Sequence, residues 1–171
     1  MRASYIHPTN NFGRHNNVHF YYWTSAIVQG KYWNNFTHLT ALEVRNNLYD
    51  EEIVIEDLHL EKGRTDSAPE IGKVLKPGVP FSFDLAPSVH DVHKVIKGAV
   101  IVRGKRSGKQ YALGFEANLL KHEFHAGLVE GNWEHAVAHI GRTNNHESWG
   151  SYEIIRSEGN HANKIVFRIG K

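Results

Sequence analysis

Histidine is the side chain here that most invites a chemical reading. Thirteen are present among 171 residues, and several fall in close pairs. His90 and His93 flank Asp91 and Val92, His122 and His125 flank Glu123 and Phe124, and His135 and His139 stand four apart. Imidazoles so spaced can ligate a metal or move a proton. The order His122-Glu123-Phe124-His125 is one residue short of the HExxH pattern that zinc hydrolases place on a helix. If His135 and His139 lie on a strand they point the same way but about 13 Å apart, too far for one ion. Only a helix brings both rings to one face within reach of one metal. Rim imidazoles in ordinary hydrogen bonds account for the same spacing, and no metal site is expected.

Nucleophilic chemistry needs a nucleophile, a base and an orienter brought together. Ser88, His90 and Asp91 are neighbours in sequence, but adjacency in a loop is not a triad, and no G-x-S-x-G is present. Gly104-Lys105-Arg106-Ser107-Gly108-Lys109 has the residue types of a phosphate loop without its order, and it joins strand to strand. It reads as a solvated hairpin turn, or as a cationic site for phosphate and lipid headgroups formed by Arg103, Lys105, Arg106 and Lys109. The residues point away from an enzyme and toward no cofactor. A hydrolase built on the histidines is the remaining catalytic reading.

These groups need a scaffold, and the stretch 95–116 organises it. An apolar run over 99–102 meets the basic turn, after which Tyr111, Leu113 and Phe115 alternate with Ala112 and Gly114. That is a β-hairpin signature whose first strand belongs in the middle of a sheet covered on both faces. Further strands are expected over 39–45, ended by Asn46-Asn47, over 52–58 at an edge, and over 79–85 after the Pro77-Gly78 turn. Pro80 places the start of that strand at an edge. The segment 61–64 reads as a turn and 141–150 as a polar loop. Residues 117–131 fit a short helix or an interrupted strand, and 133–140 fit period two and a helix equally. Strands over 151–156 and 164–169 close the chain, the last near the middle of a sheet because its apolar run is almost continuous. Many short strands with one or two short helices predict an all-β sandwich, a single domain over 1–171.

The charge balance is flat: 20 Lys and Arg against 18 Asp and Glu, a net charge of +2. That gives no basis for nucleic-acid binding. The histidines add positive charge as a medium acidifies toward about pH 6.5. With no cysteine there is no disulfide, thiolate or cysteine zinc site. No stretch is long and apolar enough for a signal core or a membrane helix. The expectation is a soluble protein, cytoplasmic or exported without a visible signal peptide.

Residues 1–38 stand apart. They hold Arg2, Arg14 and Lys31 but no acid, the first being Glu43, and they are rich in Asn and aromatics. Residues 18–29 fit a strand or a short helix. Aromatics are ordinary core material, but Tyr21, Tyr22, Trp23, Tyr32 and Trp33 also suit a lipid interface or a sugar-stacking surface. A glycan site has candidates nearer the C-terminus: platforms at Trp133, Trp149 and Tyr152, with Asn144, Asn145 and Glu147 for sugar hydroxyls.

One order of features carries a resemblance. Leu42-Glu43-Val44-Arg45-Asn46, the Lys76-Pro77-Gly78 turn, Lys97-Gly98-Ala99-Val100 and Tyr111-Ala112-Leu113-Gly114-Phe115 come first. Gly150-Ser151-Tyr152, Gly159-Asn160-His161 and the run 165–169 follow. This order resembles the actinoporin-type cytolysins and the fungal fruit-body lectins that share their sandwich. The aegerolysins, another family of small membrane-binding β-sandwiches, are similar in the same way. The resemblance covers roughly 40–171. It implies a compact sandwich that recognises lipid headgroups or glycans and self-associates on the membrane. Residues 1–38 depart from the pore-lining amphipathic helix of actinoporins, since Pro8 and Gly13 break a long helix early. The proline-aromatic loop of that family is replaced by Glu116-Ala117-Asn118. The expected function is therefore lipid-headgroup binding of cytolysin type at the N-terminal aromatics and the basic turn, with a glycan-binding lectin as the alternative.

Overall fold

A computed structural model describes residues 40–65, 70–142, 144–156 and 163–171. The aromatic segment 1–38, with Tyr21, Tyr22, Trp23, Tyr32 and Trp33, lies outside the described residues. The elements are β1 (Thr40–Asn46), β2 (Ile53–Lys62), β3 (Arg64–Thr65), β4 (Val74–Leu75), β5 (Pro80–Ala86) and β6 (Val95–Gly104). They continue as β7 (Gln110–Asn118), β8 (Glu123–Glu130), α1 (Trp133–Ala138), β9 (His146–Glu147), β10 (Gly150–Ile155) and β11 (Asn163–Ile169).

The strands form two sheets, ordered β3-β5-β1-β11-β10-β9 and β4-β2-β6-β7-β8. β1 and β11 pair in parallel, Thr40 opposite Asn163 and Asn46 opposite Ile169. The other strand pairs run antiparallel. Period-two alternation turns Leu42, Val44, Phe83, Leu85, Ile165 and Phe167 of one sheet inward. They meet Ile53, Ile55, Val100, Val102, Leu113 and Phe115 of the other in one buried cluster. Residues 40–171 are thus an all-β sandwich with one short helix among the described residues, as the strand pattern predicts.

β6 sits between β2 and β7 with both faces covered, as its apolar run requires. Its outer face is covered by α1, which packs Ala136, Trp133 and Val137 over Ala99, Ile101 and Ala112. The seat is made of missing side chains. Gly114 lies opposite Ala99 on one side and Gly127 on the other. A methyl group at Gly114 would stand 2.6 Å from the Ala136 carbonyl oxygen, and one at Gly127 would stand 3.0 Å from that of His139. The helix begins where Asn132 accepts the His135 amide N–H at 3.1 Å. It ends before Gly141, whose φ of +70° suits a helix stop. This settles Trp133–Ala138 as helix, with His139 as its C-cap.

Four expectations change. β2 runs on through Lys62, so the expected turn at 61–64 shrinks to Gly63, with a φ of +97°. β4 pairs with Ile53 and Val54 of β2, and Ile55 bonds to Gly72 and Lys73, so among the described residues the expected edge of β2 begins only beyond Ile55. Residues 123–130 are a full strand, because β7 offers a complete ladder from Tyr111 to Asn118. The polar loop at 141–150 contains β9, held by pairing with Gly150 and Ser151.

The seat gives a test in which the sign decides. Gly→Ala in an unobstructed strand stabilises by about 0.4–1 kcal/mol through the unfolded chain. Overpacking costs about 1–3 kcal/mol. Gly114→Ala should therefore lower stability by about 1–2 kcal/mol, read as a lower urea midpoint with unchanged m. An equal or higher midpoint would show that α1 does not rest on this glycine.

Candidate functional site

The basic turn is the first place to look for ligand chemistry, and its charge is largely committed. Arg103 forks onto Glu56 of β2, with Nη2 donating at 3.0 Å, and Gln110 donates to the same carboxylate at 2.9 Å. Lys105 pairs with Glu52 at 2.8 Å and Arg106 with Asp50 at 2.6 Å. Lys109 has no ion-pair partner among the described residues. The turn is also held from inside. Glu51 is buried, and its Oε1 accepts the amide N–H groups of Arg106 at 2.9 Å and Ser107 at 2.5 Å. Gly104 makes room for that carboxylate, since a methyl group there would stand 2.6 Å from it. The acids of residues 50–56 therefore fold the turn as much as the turn offers cations to a ligand.

The described histidines do not converge. His135 and His139 lie one helical turn apart, but His139 donates Nδ1–H to the His135 carbonyl at 2.7 Å. His59 spends its ring on Trp133, the two stacked with centroids 3.5 Å apart. Among the described residues no three metal-ligating side chains form a cluster.

A third arrangement is concave. An open depression of about 650 Å³ is lined by Asn145, His146, Ser151, Tyr152, Glu153, Ile154 and Arg168. β9 pairs with Gly150 and Ser151, and the Asn145 carbonyl accepts the Tyr152 amide at 3.0 Å, so among the described residues Glu153 to Ile155 leave an open strand edge beside it. Arg168 reaches Glu153 at 2.6 Å. Burial holds the Tyr152 phenol above its usual range, so it stays neutral. A cation, a carboxylate, amide and hydroxyl groups and an aromatic ring thus share one shallow site.

Of the sequence-expected glycan residues, Asn145 and Tyr152 line this depression and Glu147 lies in the adjoining β9. Asn144 is exposed beside them. Trp149 turns to the core and stacks on Tyr111 with centroids 4.5 Å apart. Trp133 is covered by His59 across the other sheet. His146, in the same polar loop, lines the depression too, whereas Ser151, Glu153, Ile154 and Arg168 were not anticipated. Arg168 was hidden in a strand that reads as core, and its alternation with Phe167 and Ile169 is the signal that could have found it.

The class defined by this geometry is a two-sheet all-β sandwich. No family model and no curated protein matches the chain. Among solved structures it is similar to the lipid-binding protein Nakanori, with a TM-score of 0.54 and 10% identity over 78% of this chain and 71% of that one. RahU, solved with a TRIS molecule, gives a TM-score of 0.47 and 7% identity over 80% of this chain and 96% of that one. IP-1A from Alcaligenes faecalis gives 0.42 and 9% over 80% and 94%. The likeness to Nakanori is one of fold.

The buried carboxylates predict an acid limb in stability. Burial pushes the Glu51 carboxyl up, but the bonds from Ser107 and Arg106 outweigh it and hold it below the usual 4.5. Burial likewise opposes, and Lys164, Arg45 and Ser82 override, at Glu43. A depressed folded value means the unfolded chain binds more protons near that pH, so this stability is complete above about pH 4.5 and lost as pH falls through the folded values. Glu51→Gln should flatten the fall in urea midpoint between about pH 5 and pH 3. An unchanged acid limb would show that Glu51 is not held as described.

Proposed function

We propose that this chain is a non-enzymatic binding protein that takes a lipid headgroup at a membrane surface. The observation that carries the reading is the depression on the β10 edge. Arg168 beside Glu153 presents both signs of charge, as a zwitterionic phosphate–ammonium headgroup requires, while Tyr152 and Ile154 offer apolar surface to the groups next to it. The fold shared with a protein that binds lipid supports the same reading. The N-terminal aromatics Tyr21, Tyr22, Trp23, Tyr32 and Trp33 belong to the proposal as interface anchors. The paired cations Arg103, Lys105 and Arg106 serve it less directly than Lys109. Cytolysis and self-association on the membrane are finer forms of the proposal.

A lectin is the second reading, favoured by Asn145 and Tyr152 in the same depression. Co-sedimentation with phosphatidylcholine vesicles, with dye release read in the same tubes, tests both. Binding should be displaced by soluble phosphocholine and weakened about 10-fold by Arg168→Gln, a loss in keeping with one charge-assisted contact. Dye release would add cytolytic activity to binding. Displacement by simple sugars, with none by phosphocholine, would favour the lectin. Failure to pellet with any vesicle would remove the membrane reading.

A further inference from the structure

Two loops at the end of the sandwich opposite the basic turn carry the second inference, which rests on the membrane reading. One is 87–94, between β5 and β6; the other is 119–122, between β7 and β8. The Leu119 amide donates to the Lys94 carbonyl at 3.1 Å, which fixes the loops side by side. From them project Val89, 72% exposed, Val92, 75% exposed, and Leu120, 57% exposed. Isolated exposed aliphatics are ordinary on a protein surface. Three on two hydrogen-bonded loops, each more than half exposed, form a protruding apolar tip.

The charges around the tip differ from those around the basic turn. Lys94 and Lys121 stand beside these aliphatics in sequence, and Lys62 is near enough to act on the Asp91 carboxylate. None of the three has an ion-pair partner among the described residues. The acids are engaged elsewhere. Both Asp91 oxygens turn into their own loop, accepting the amides of His93 and Val95 at 2.9 Å each. Glu61 and Glu116 both face Lys97, at 3.4 and 3.9 Å. Among the described residues, Glu123 is the exposed carboxylate that remains near the tip. His90, His93 and His122 add imidazoles to the rim.

The backbone bears the same mark. Lys94, with a φ of +50°, and His122, with a φ of +53°, are the non-glycine residues in the left-handed region among those described. One sits at the base of each loop. That conformation costs about 1–2 kcal/mol for an ordinary side chain. Glycine would relieve it, yet a lysine and a histidine stand there.

We propose that Val89, Val92 and Leu120 dip into the surface of an anionic phospholipid bilayer while Lys62, Lys94 and Lys121 meet its phosphates. The occupant is a bilayer because the apolar groups protrude and form no groove. It is anionic because the neighbouring ammonium groups have no ion-pair partner among the described residues. Aliphatic side chains at the acyl boundary and cations at headgroup depth are the two contributions that hold a peripheral protein.

The test is co-sedimentation of the full chain with vesicles of phosphatidylcholine alone and with about one third phosphatidylserine, an anionic fraction that gives the surface its negative potential. Wild type should bind the anionic vesicles more tightly. The double variant Val92→Asp, Leu120→Asp should weaken that binding by about 10-fold or more, and Lys94→Gln with Lys121→Gln should remove most of the preference for anionic vesicles. Val79→Asp, at the basic-turn end, should leave binding unchanged. A second variant, Leu120→Trp, guards against misfolding of the first: its introduced indole should shift to the blue on anionic vesicles and be quenched by lipid-borne quenchers. Wild-type binding that the tip variants leave intact, with no such indole shift, overturns the tip and keeps the membrane reading. Equal binding to both vesicle types overturns the anionic assignment. Absence of wild-type binding to either overturns both.

Discussion

Asn46 joins the two sheets at the basic-turn end. It is the last residue of β1 and fully buried. Its side-chain nitrogen donates to the carbonyls of Glu51 and Leu75, both at 2.8 Å. Its side-chain oxygen accepts the Leu48 amide at 3.0 Å, and its backbone oxygen accepts that of Gly78 at 2.7 Å. β1 belongs to one sheet, whereas Leu75 and the strand that follows Glu51 belong to the other. Each of these groups, left buried and unpaired, would cost about 1–3 kcal/mol. One amide therefore sets where the chain crosses between the sheets, and with it where Glu51 lies. Glu51 in turn holds the basic turn, and the turn brings its cations onto Glu52, Glu56 and Asp50.

The two ends of the sandwich consequently differ in kind. At the Asn46 end, charge is spent on charge inside the protein. Exposed pairs of this sort contribute little stability each, but together they leave small net potential for a partner. At the other end the strands β5 to β8 return through loops whose Asp91 is turned inward and whose lysines have no ion-pair partner among the described residues. Formal charge is flat over the whole chain, so this asymmetry is local and geometric. It makes a membrane orientation arguable from the described residues alone.

Much of the scaffold was legible because strands announce themselves by alternation. The β6–β7 hairpin, β5 after Pro77-Gly78 and the nearly continuous run of β11 needed no tertiary information. α1 did not announce itself, since Trp133 to Ile140 satisfies two periods. The arbiter was the stripe of small residues Ala99, Gly114 and Gly127, which lie on three different strands. The basic turn was visible as charge but not as paired charge, because the Asp50, Glu52 and Glu56 carboxylates are about fifty residues upstream. The depression was half visible: Asn145 and Tyr152 belong to a polar loop and its flank, whereas Arg168 reads as an interruption in a core strand. The tip was invisible for the opposite reason. Val89 and Val92 are scattered singly through a polar loop, and only the bond between Leu119 and Lys94 brings Leu120 beside them.

The central claim is that the end bearing loops 87–94 and 119–122 faces the membrane. Amide hydrogen exchange of the full chain, with and without anionic vesicles, measures this residue by residue. Vesicles should slow exchange in 88–94 and 119–122 and leave 104–109 unchanged. Slowed exchange at 104–109, with none at 88–94 or 119–122, would put the basic turn against the bilayer and contradict the account.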